Sequence, residues 1–169
     1  VAYCLVRKVI SVREIVKIIK DGEYRNRLEE CDVIESDLVS QPVNWMRCIV
    51  MPREWLNMEN KAVWQHEVLH AHKWHSLDLL LTDILSAVQW FNPVMRLVHK
   101  EMELIHEYEA DRSVIKSGAP EKDYKMMLVG TVAANRGYSM SNWFRESNLK
   151  KRIDMMERKK EIKTGEIGR

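Results

Sequence analysis

The sequence predicts a mainly helical α+β domain with a small antiparallel sheet. A chain of 169 residues is the size of one domain and can bury a core of its own. Several segments repeat apolar residues at helical spacing, whereas two short runs, 32–36 and 47–51, are rich in strand-forming residues and bounded by turn formers. Hydrophobic residues make up 46% and charged residues 31% of the chain, which is an ordinary globular balance.

The composition argues against several classes of protein. A net charge of +2 is too small to indicate nucleic-acid binding by itself. Cys4, Cys31 and Cys48 are odd in number and lack CxxC spacing, so we expect no disulfide framework, no thiolate zinc site and a reducing compartment. The sequence contains no run of about 20 uncharged apolar residues, so it predicts no membrane span. Because the chain begins at Val1 without a signal-peptide pattern, we expect a fragment of a longer protein.

The N-terminal segment, residues 5–20, predicts a basic amphipathic helix that stops at Asp21-Gly22. Its apolar residues are Val9, Val12, Val16 and Ile19, with lysines and arginines between them. Such a helix is either an ordinary surface helix or a membrane-proximal helix whose basic residues meet lipid headgroups. We assign residues 1–24 to this helix and residues 25–169 to the remaining domain.

The two β-rich runs are joined through a turn-like stretch, QPVN at 41–44. They are either structural strands or strands that hold a peptide by backbone pairing. Pro52 ends the second run, and Asn57 or Asn60 can cap the helix that follows. A further helix is predicted at 77–90. The uncharged segment 84–95 has the length of a buried core helix, which favours the core over a membrane-dipping segment.

Asn92-Pro93 is typical of an N-cap followed by proline at the first helical position. It predicts a long helix that ends at Ser117-Gly118. Residues 123–134 are helix-like, residues 135–141 predict a loop, and residues 148–163 predict a last helix. The lysines and arginines of that last helix are most simply a solvated face.

The motif with the clearest chemistry is HEVLH at 66–70. Residues four apart share one face of a helix, so His66 and His70 can offer imidazole nitrogens to a single ion. Glu67 would then lie beside the ion as the general base that takes a proton from water. Three protein ligands and one water are typical of a catalytic zinc site, so a third ligand is needed.

The long helix after Pro93 supplies the candidates for that ligand. Glu107 and Asp111 are four apart and share a face, on which Ala110 would allow a close helix approach. We therefore predict Glu107 as the third ligand, and Asp111 as a carboxylate that orients a ligating histidine.

The other histidines are given lesser roles. His75 and Asp78, one turn apart, are predicted to give hydrogen-bonded support more than direct catalysis. His72, His99 and His106 are predicted to be surface or capping residues.

Several motifs in the same order resemble the BlaR/MecR-type antirepressor membrane metallopeptidases. They are HEVLH at 66–70, HSLD at 75–78, WFNP at 90–93, HEYEAD at 106–111, NWF at 142–144 and SNLKKRIDMM at 147–156. The similarity extends over about residues 32–160 and is far more specific than HExxH alone.

The resemblance implies a zincin-like peptidase of the gluzincin kind, with one Zn²⁺ per chain. It implies that the zinc ligands fall on His66, His70 and Glu107, the general base on Glu67 and the orienting aspartate on Asp111. The substrate would be a protein or peptide.

In that family the peptidase domain is a cytoplasmic loop between transmembrane helices. The resemblance therefore implies a location on the cytoplasmic face of a bacterial inner membrane, with anchoring by flanking helices that this chain lacks. It also implies that the domain relays a signal, as in β-lactam resistance, by cutting a transcriptional repressor or the receptor itself. No direct contact with nucleic acid is expected, and the chain looks like an excised loop.

Two alternatives remain. A non-catalytic signalling module could keep the metal in a closed site, with His75 or His99 as a fourth protein ligand. Nucleic-acid binding through the basic residues of 150–160 is the weaker alternative.

Overall fold

The structure is a computed structural model that describes residues 2–28, 30–56, 61–134 and 147–157. Over these residues the chain is mainly helical and carries one four-stranded sheet, so the predicted class is confirmed in its main features. The chain divides into two compact units, Val1–His106 and Glu107–Arg169. Within the described segments, no helix is long and apolar enough to cross a membrane.

The first unit contains the sheet and most of the helices. Its elements are α1 (Ala2–Asp21), β1 (Glu23–Leu28), β2 (Cys31–Glu35), β3 (Val43–Trp45), β4 (Cys48–Met51), α2 (Arg53–Leu56), α3 (Lys61–His72), α4 (His75–Val88) and the first half of α5 (Val94–Lys116). The second unit contains the rest of α5, α6 (Glu121–Ala134) and a helical segment at 147–157.

The sheet is mixed, so the prediction of an antiparallel sheet is wrong in one pairing. The strand order is β1-β2-β4-β3, in which β2 and β4 run parallel and the two outer pairs are antiparallel. The reason is that β3 lies between the two predicted strands in sequence. It reverses the chain once before β4, through a tight turn in which Met46 has φ 53.

The sequence does not predict strands β1 and β3. The stretch that forms β3 predicts a turn, because Pro42 and Asn44 are turn formers. β1 reads EYRNRL and lies at the exposed surface, so it lacks the apolar alternation that marks a half-buried strand.

The core of the first unit forms where α3 packs on the sheet. Val33, Ile49 and Met51 of the sheet are buried against Val68 and Ala71 of α3. On a helix, His66 and His70 are each turned roughly 160° from Val68. Packing of the apolar face therefore directs the two histidines away from the sheet.

Several predicted helix ends are confirmed. The backbone N–H of Val94 donates to Oδ1 of Asn92 at 3.0 Å, as an N-cap requires. Gly118, just beyond α5, has φ +97, a conformation that glycine adopts without strain. The helix predicted at 77–90 begins earlier, at His75. The capping residues Asn57 and Asn60, the loop 135–141 and residues 158–163 lie outside the described residues.

The segment 84–95 does not form core, so the prediction from its length is wrong. Ile84, Leu85 and Val88 on α4 are exposed, and so are Trp90 and Phe91 in the turn that follows. The length of an apolar run distinguishes a spanning helix from a shorter one, but it does not say what the shorter one packs against.

Candidate metal centre

The two motif histidines converge on one point in front of α3. Their Nε2 atoms lie 3.1 Å apart, and the ring centroids are 4.8 Å apart. A tetrahedral zinc ion with Zn–N bonds of about 2.0–2.1 Å holds two ligand nitrogens roughly 3.3 Å apart. The pair of Nε2 atoms therefore fits a single ion.

Glu67 is held by a side chain from the sheet. The Asn44 amide on β3 donates from Nδ2 to Oε2 of Glu67. This contact fixes the carboxylate beside the histidine pair without using it as a ligand. The sequence does not predict a role for Asn44, because the stretch around it has the pattern of a turn.

His70 also contacts a second histidine, His75. Nδ1 of His75 lies 2.9 Å from Nδ1 of His70, and the two rings meet edge to face. The contact depends on Trp74, which adopts φ 58 and ψ 34 and so lets α4 begin directly after α3. A bulky residue in this left-handed region is uncommon and strained. The predicted hydrogen-bonded role of His75 is thus compatible with its position.

His75 is itself supported by α5. The His106 ring stacks on it at 3.8 Å with an interplanar angle of 6°, and Nε2 of His106 lies 3.2 Å from Oδ2 of Asp78. Both histidine rings are buried. The prediction that His106 is a surface or capping residue is therefore wrong, because its face of α5 packs on α4.

Glu107 directly follows His106 on α5. His66, His70 and Glu107 each offer one ligand atom, and these atoms all lie within 4.8 Å of one another. Two imidazoles and a carboxylate are the donor set of a catalytic zinc site with an open fourth position. The residues present thus fit a zinc ion.

In the second unit, Glu107 and Asp111 share an arginine. Nη1 of Arg152 lies 2.7 Å from Oε2 of Glu107. The same guanidinium donates from Nε to Oδ2 of Asp111 at 2.8 Å, and the Tyr124 hydroxyl donates to Oδ1 of Asp111 at 2.8 Å. A carboxylate has two oxygens, so Arg152 can hold one oxygen of Glu107 while the other faces an ion.

Burial and the neighbouring carboxylates of Asp111 and Glu107 shift the pKa values of Tyr124 and Arg152. Burial raises the pKa of Tyr124, and the neighbouring Asp111 carboxylate raises it further. Burial opposes the charge of Arg152, but the hydrogen bonds to Asp111 and the charge of Glu107 outweigh it and raise the pKa of Arg152. Arg152 is therefore a fixed cation beside two carboxylates.

The prediction of a wholly solvated basic face on the last helix is wrong at Arg152, whose side chain is mostly buried. A signal for this was present in the sequence. Leu149, Arg152, Ile153 and Met156 follow the spacing of a single helix face, and all four are partly buried. Arg152 thus lies on the inward stripe.

These features define a class of protein. A histidine pair with a glutamate between them, completed by a carboxylate on a second helix, is the arrangement of a metal-dependent hydrolase. The chain matches the family described as BlaR1 peptidase M56 over residues 2–156, and it belongs to that family. The resemblance drawn from the sequence is confirmed, and the family makes the chain a metallopeptidase domain. Comparison with curated proteins finds no match.

Proposed function

We propose that the chain is a zinc-dependent endopeptidase domain of a bacterial membrane signal transducer. It relays a signal, such as the presence of a β-lactam, by cutting a repressor or the receptor itself. The observation that carries the proposal is the convergence of His66, His70 and Glu107 beside Glu67. Membership of the peptidase family supports a protein or peptide as the substrate.

His66 and His70 would hold the ion through Nε2, and Glu107 through a carboxylate oxygen. A bound zinc ion would lower the pKa of a water molecule to about 7 and polarise a substrate carbonyl. His75 accepts the Nδ1 proton of His70, because an imidazole that ligates through Nε2 carries its proton on the other nitrogen. This hydrogen bond orients the His70 ring.

Glu67 transfers a proton of the attacking water to the leaving group. Its carboxylate accepts a proton from the water that attacks the peptide carbonyl, and it later gives that proton to the nitrogen of the leaving amine. Asn44 keeps the carboxylate in one position through both transfers. One residue thereby serves as base and then as acid.

The sheet offers a place for the substrate. β3 lies at the edge of the described sheet and pairs with β4 on one side. An extended peptide can add to such an edge by backbone hydrogen bonds. Because the Asn44 side chain of β3 contacts Glu67, a peptide paired with β3 would pass close to the base.

We further propose that the domain works at the cytoplasmic face of the inner membrane, within a longer protein that anchors it. The family supports association with a membrane. The basic residues of α1 suit the cytoplasmic side, where anionic headgroups attract lysine and arginine.

The test compares the 169-residue chain with Glu67→Gln in a zinc assay and a peptide-library cleavage assay. We expect one zinc in both proteins and cleavage by the unsubstituted chain alone. Loss of a general base lowers rates by about 10²–10⁴-fold. Glu109→Gln, an exposed change of the same kind, is the control and should leave both readouts unchanged. Equal cleavage by the Glu67→Gln protein, or an unsubstituted chain that binds no zinc, would refute the proposal.

A further inference from the structure

α4 carries its apolar residues on the outside. Leu81, Ile84, Leu85 and Val88 follow the spacing of one helix face, and all four are exposed. Thr82, on another face of the same helix, is buried. A helix of a water-facing domain has the opposite arrangement, with its apolar stripe turned to the core.

Polar side chains link α4 to two other helices, α1 and α5. The Nζ of Lys8 on α1 lies 2.6 Å from Oδ2 of Asp83, and Oδ1 of Asp83 lies 3.4 Å from Nδ1 of His99 on α5. The Thr82 hydroxyl lies 3.0 Å from the same His99 nitrogen. The polar contacts of α4 thus lie on the side that faces its neighbouring helices, and its large apolar groups lie on the opposite side, an arrangement typical of helices that face lipid.

The apolar surface continues around the end of the hairpin formed by α4 and α5. Val88 is 67% exposed, Trp90 63% and Phe91 71%. Val94 and Leu97, at the start of α5, are exposed as well. The segment 84–95 contains no charged residue. We call the exposed apolar side chains of residues 81–98 the hairpin end.

Basic residues border this surface. Arg96 and Lys100 on α5 are exposed. α1, which Lys8 joins to α4, exposes Val9 and Ile10 together with Arg13. An apolar surface with a basic rim complements the acyl and headgroup layers of an anionic membrane.

We propose that the hairpin end inserts into the headgroup region of a bilayer that contains anionic lipid. The contact is interfacial, since no described helix can span a membrane. Trp90 and Phe91 enter the layer, and Arg96 and Lys100 meet lipid phosphates. The chain thus binds a membrane through its own residues, independently of the zinc site and of any flanking helix.

The test is flotation of the full chain with vesicles of phosphatidylcholine, made with and without phosphatidylglycerol. The double variant Trp90→Ser/Phe91→Ser should partition at least about 10-fold more weakly, because both side chains return to water. Tyr24→Ser/Leu38→Ser is the matched control, because Tyr24 is 60% and Leu38 68% exposed on the sheet side of the same unit. It should bind as the unsubstituted chain does.

Two further variants keep the test valid if the double variant folds poorly. Brominated phosphatidylcholine should quench tryptophan fluorescence of the unsubstituted chain, and Trp90→Phe, which keeps an apolar ring, should lose most of that quenching. Arg96→Gln/Lys100→Gln should reduce the preference for phosphatidylglycerol several-fold.

The proposal is overturned if the unsubstituted chain fails to float, or if Trp90→Ser/Phe91→Ser and the control Tyr24→Ser/Leu38→Ser lose binding equally. It is also overturned if Trp90→Ser/Phe91→Ser dissociates a dimer while vesicle binding is unchanged. That last result would assign the hairpin end to self-association.

Discussion

His75 is the residue on which the orientation of a proposed zinc ligand depends. Its Nδ1 lies 2.9 Å from Nδ1 of His70, while the stacked ring of His106 limits how it can turn. Partners of metal-ligating histidines fix the tautomer and the ring angle, and their loss costs about 10–100-fold in metal affinity. In this chain an imidazole occupies the position that a carboxylate or carbonyl often takes.

We therefore predict that His75→Ala weakens zinc binding by about 10–100-fold. His75→Asn should restore much of the affinity, because its Oδ1 can accept the same proton. Competition with a chromophoric chelator measures the dissociation constant, and melting without metal reports any purely structural damage. The control is His72→Ala, since His72 is an exposed histidine at the end of α3. Equal affinities for the Ala and Asn variants would remove His75 from this role.

At this scale the sequence predicts the chemical groups of the proposed site, but not the side chains that contact them. His66, Glu67 and His70 follow from their spacing alone, because helical geometry determines which residues share a face. Asn44 and Arg152 reach the site from other parts of the chain, over contacts that no local pattern encodes. Within the described part of the last helix, the inward position of Arg152 can be recognised only when the apolar stripe beside it is traced.

At the scale of elements, the junction between α1 and β2 depends on Gly22. A Cβ at this position would lie 2.9 Å from the carbonyl oxygen of Glu35 and 3.0 Å from that of Ile18. The first contact is closer than real Cβ atoms adopt and the second is unusually tight, and backbone cannot move aside cheaply. The glycine that was predicted as a helix stop thus also permits close packing.

Gly22→Ala should destabilise the chain by about 1–3 kcal/mol, the usual range for overpacking. Gly130→Ala is the matched control, because nothing lies within 4 Å of its Cβ position and alanine favours the helix by up to about 1 kcal/mol. Thermal unfolding followed by circular dichroism measures both. A Gly22→Ala protein that melts at or above the temperature of the unsubstituted chain would contradict the packing argument.

The end of β2 is held by charge. Glu35 is buried, and the hydrogen bond from Arg53 holds the pKa of its carboxyl below the ordinary value. Burial opposes this shift, and Arg25 on β1 adds to it. The carboxylate therefore joins β1 and α2 to the end of β2.

A carboxyl whose pKa is lowered by folding stabilises the protein above its unfolded pKa, and this stability is lost as the pH falls through the folded pKa. We predict that the melting temperature of the unsubstituted chain exceeds that of Glu35→Gln at neutral pH. The difference should shrink as the pH falls below 4.5, the ordinary value. Glu30→Gln, at an exposed position, should follow the unsubstituted chain. A difference that is constant from neutral to acid pH would contradict the role of the charge.

At the scale of the whole molecule, the helical class and the order of the helices could be predicted, because amphipathic spacing and caps are local signals. The sheet could not be predicted fully, since β1 is polar and β3 resembles a turn. The apolar character of 84–95 was evident, but its exposure was not, because hydrophobicity alone does not distinguish a core from a membrane-facing surface. The division of the chain into residues 1–24 and 25–169 stays a prediction.

The central claim is that HEVLH and Glu107 form one open zinc site, and a crystal structure of the zinc-loaded 169-residue chain tests it most directly. We predict Nε2 of His66, Nε2 of His70 and a carboxylate oxygen of Glu107 at about 2.0–2.2 Å from the ion, with water in the fourth position. A fourth protein side chain closing the site would instead indicate a non-catalytic module. Zinc bound elsewhere in the chain would contradict the claim outright.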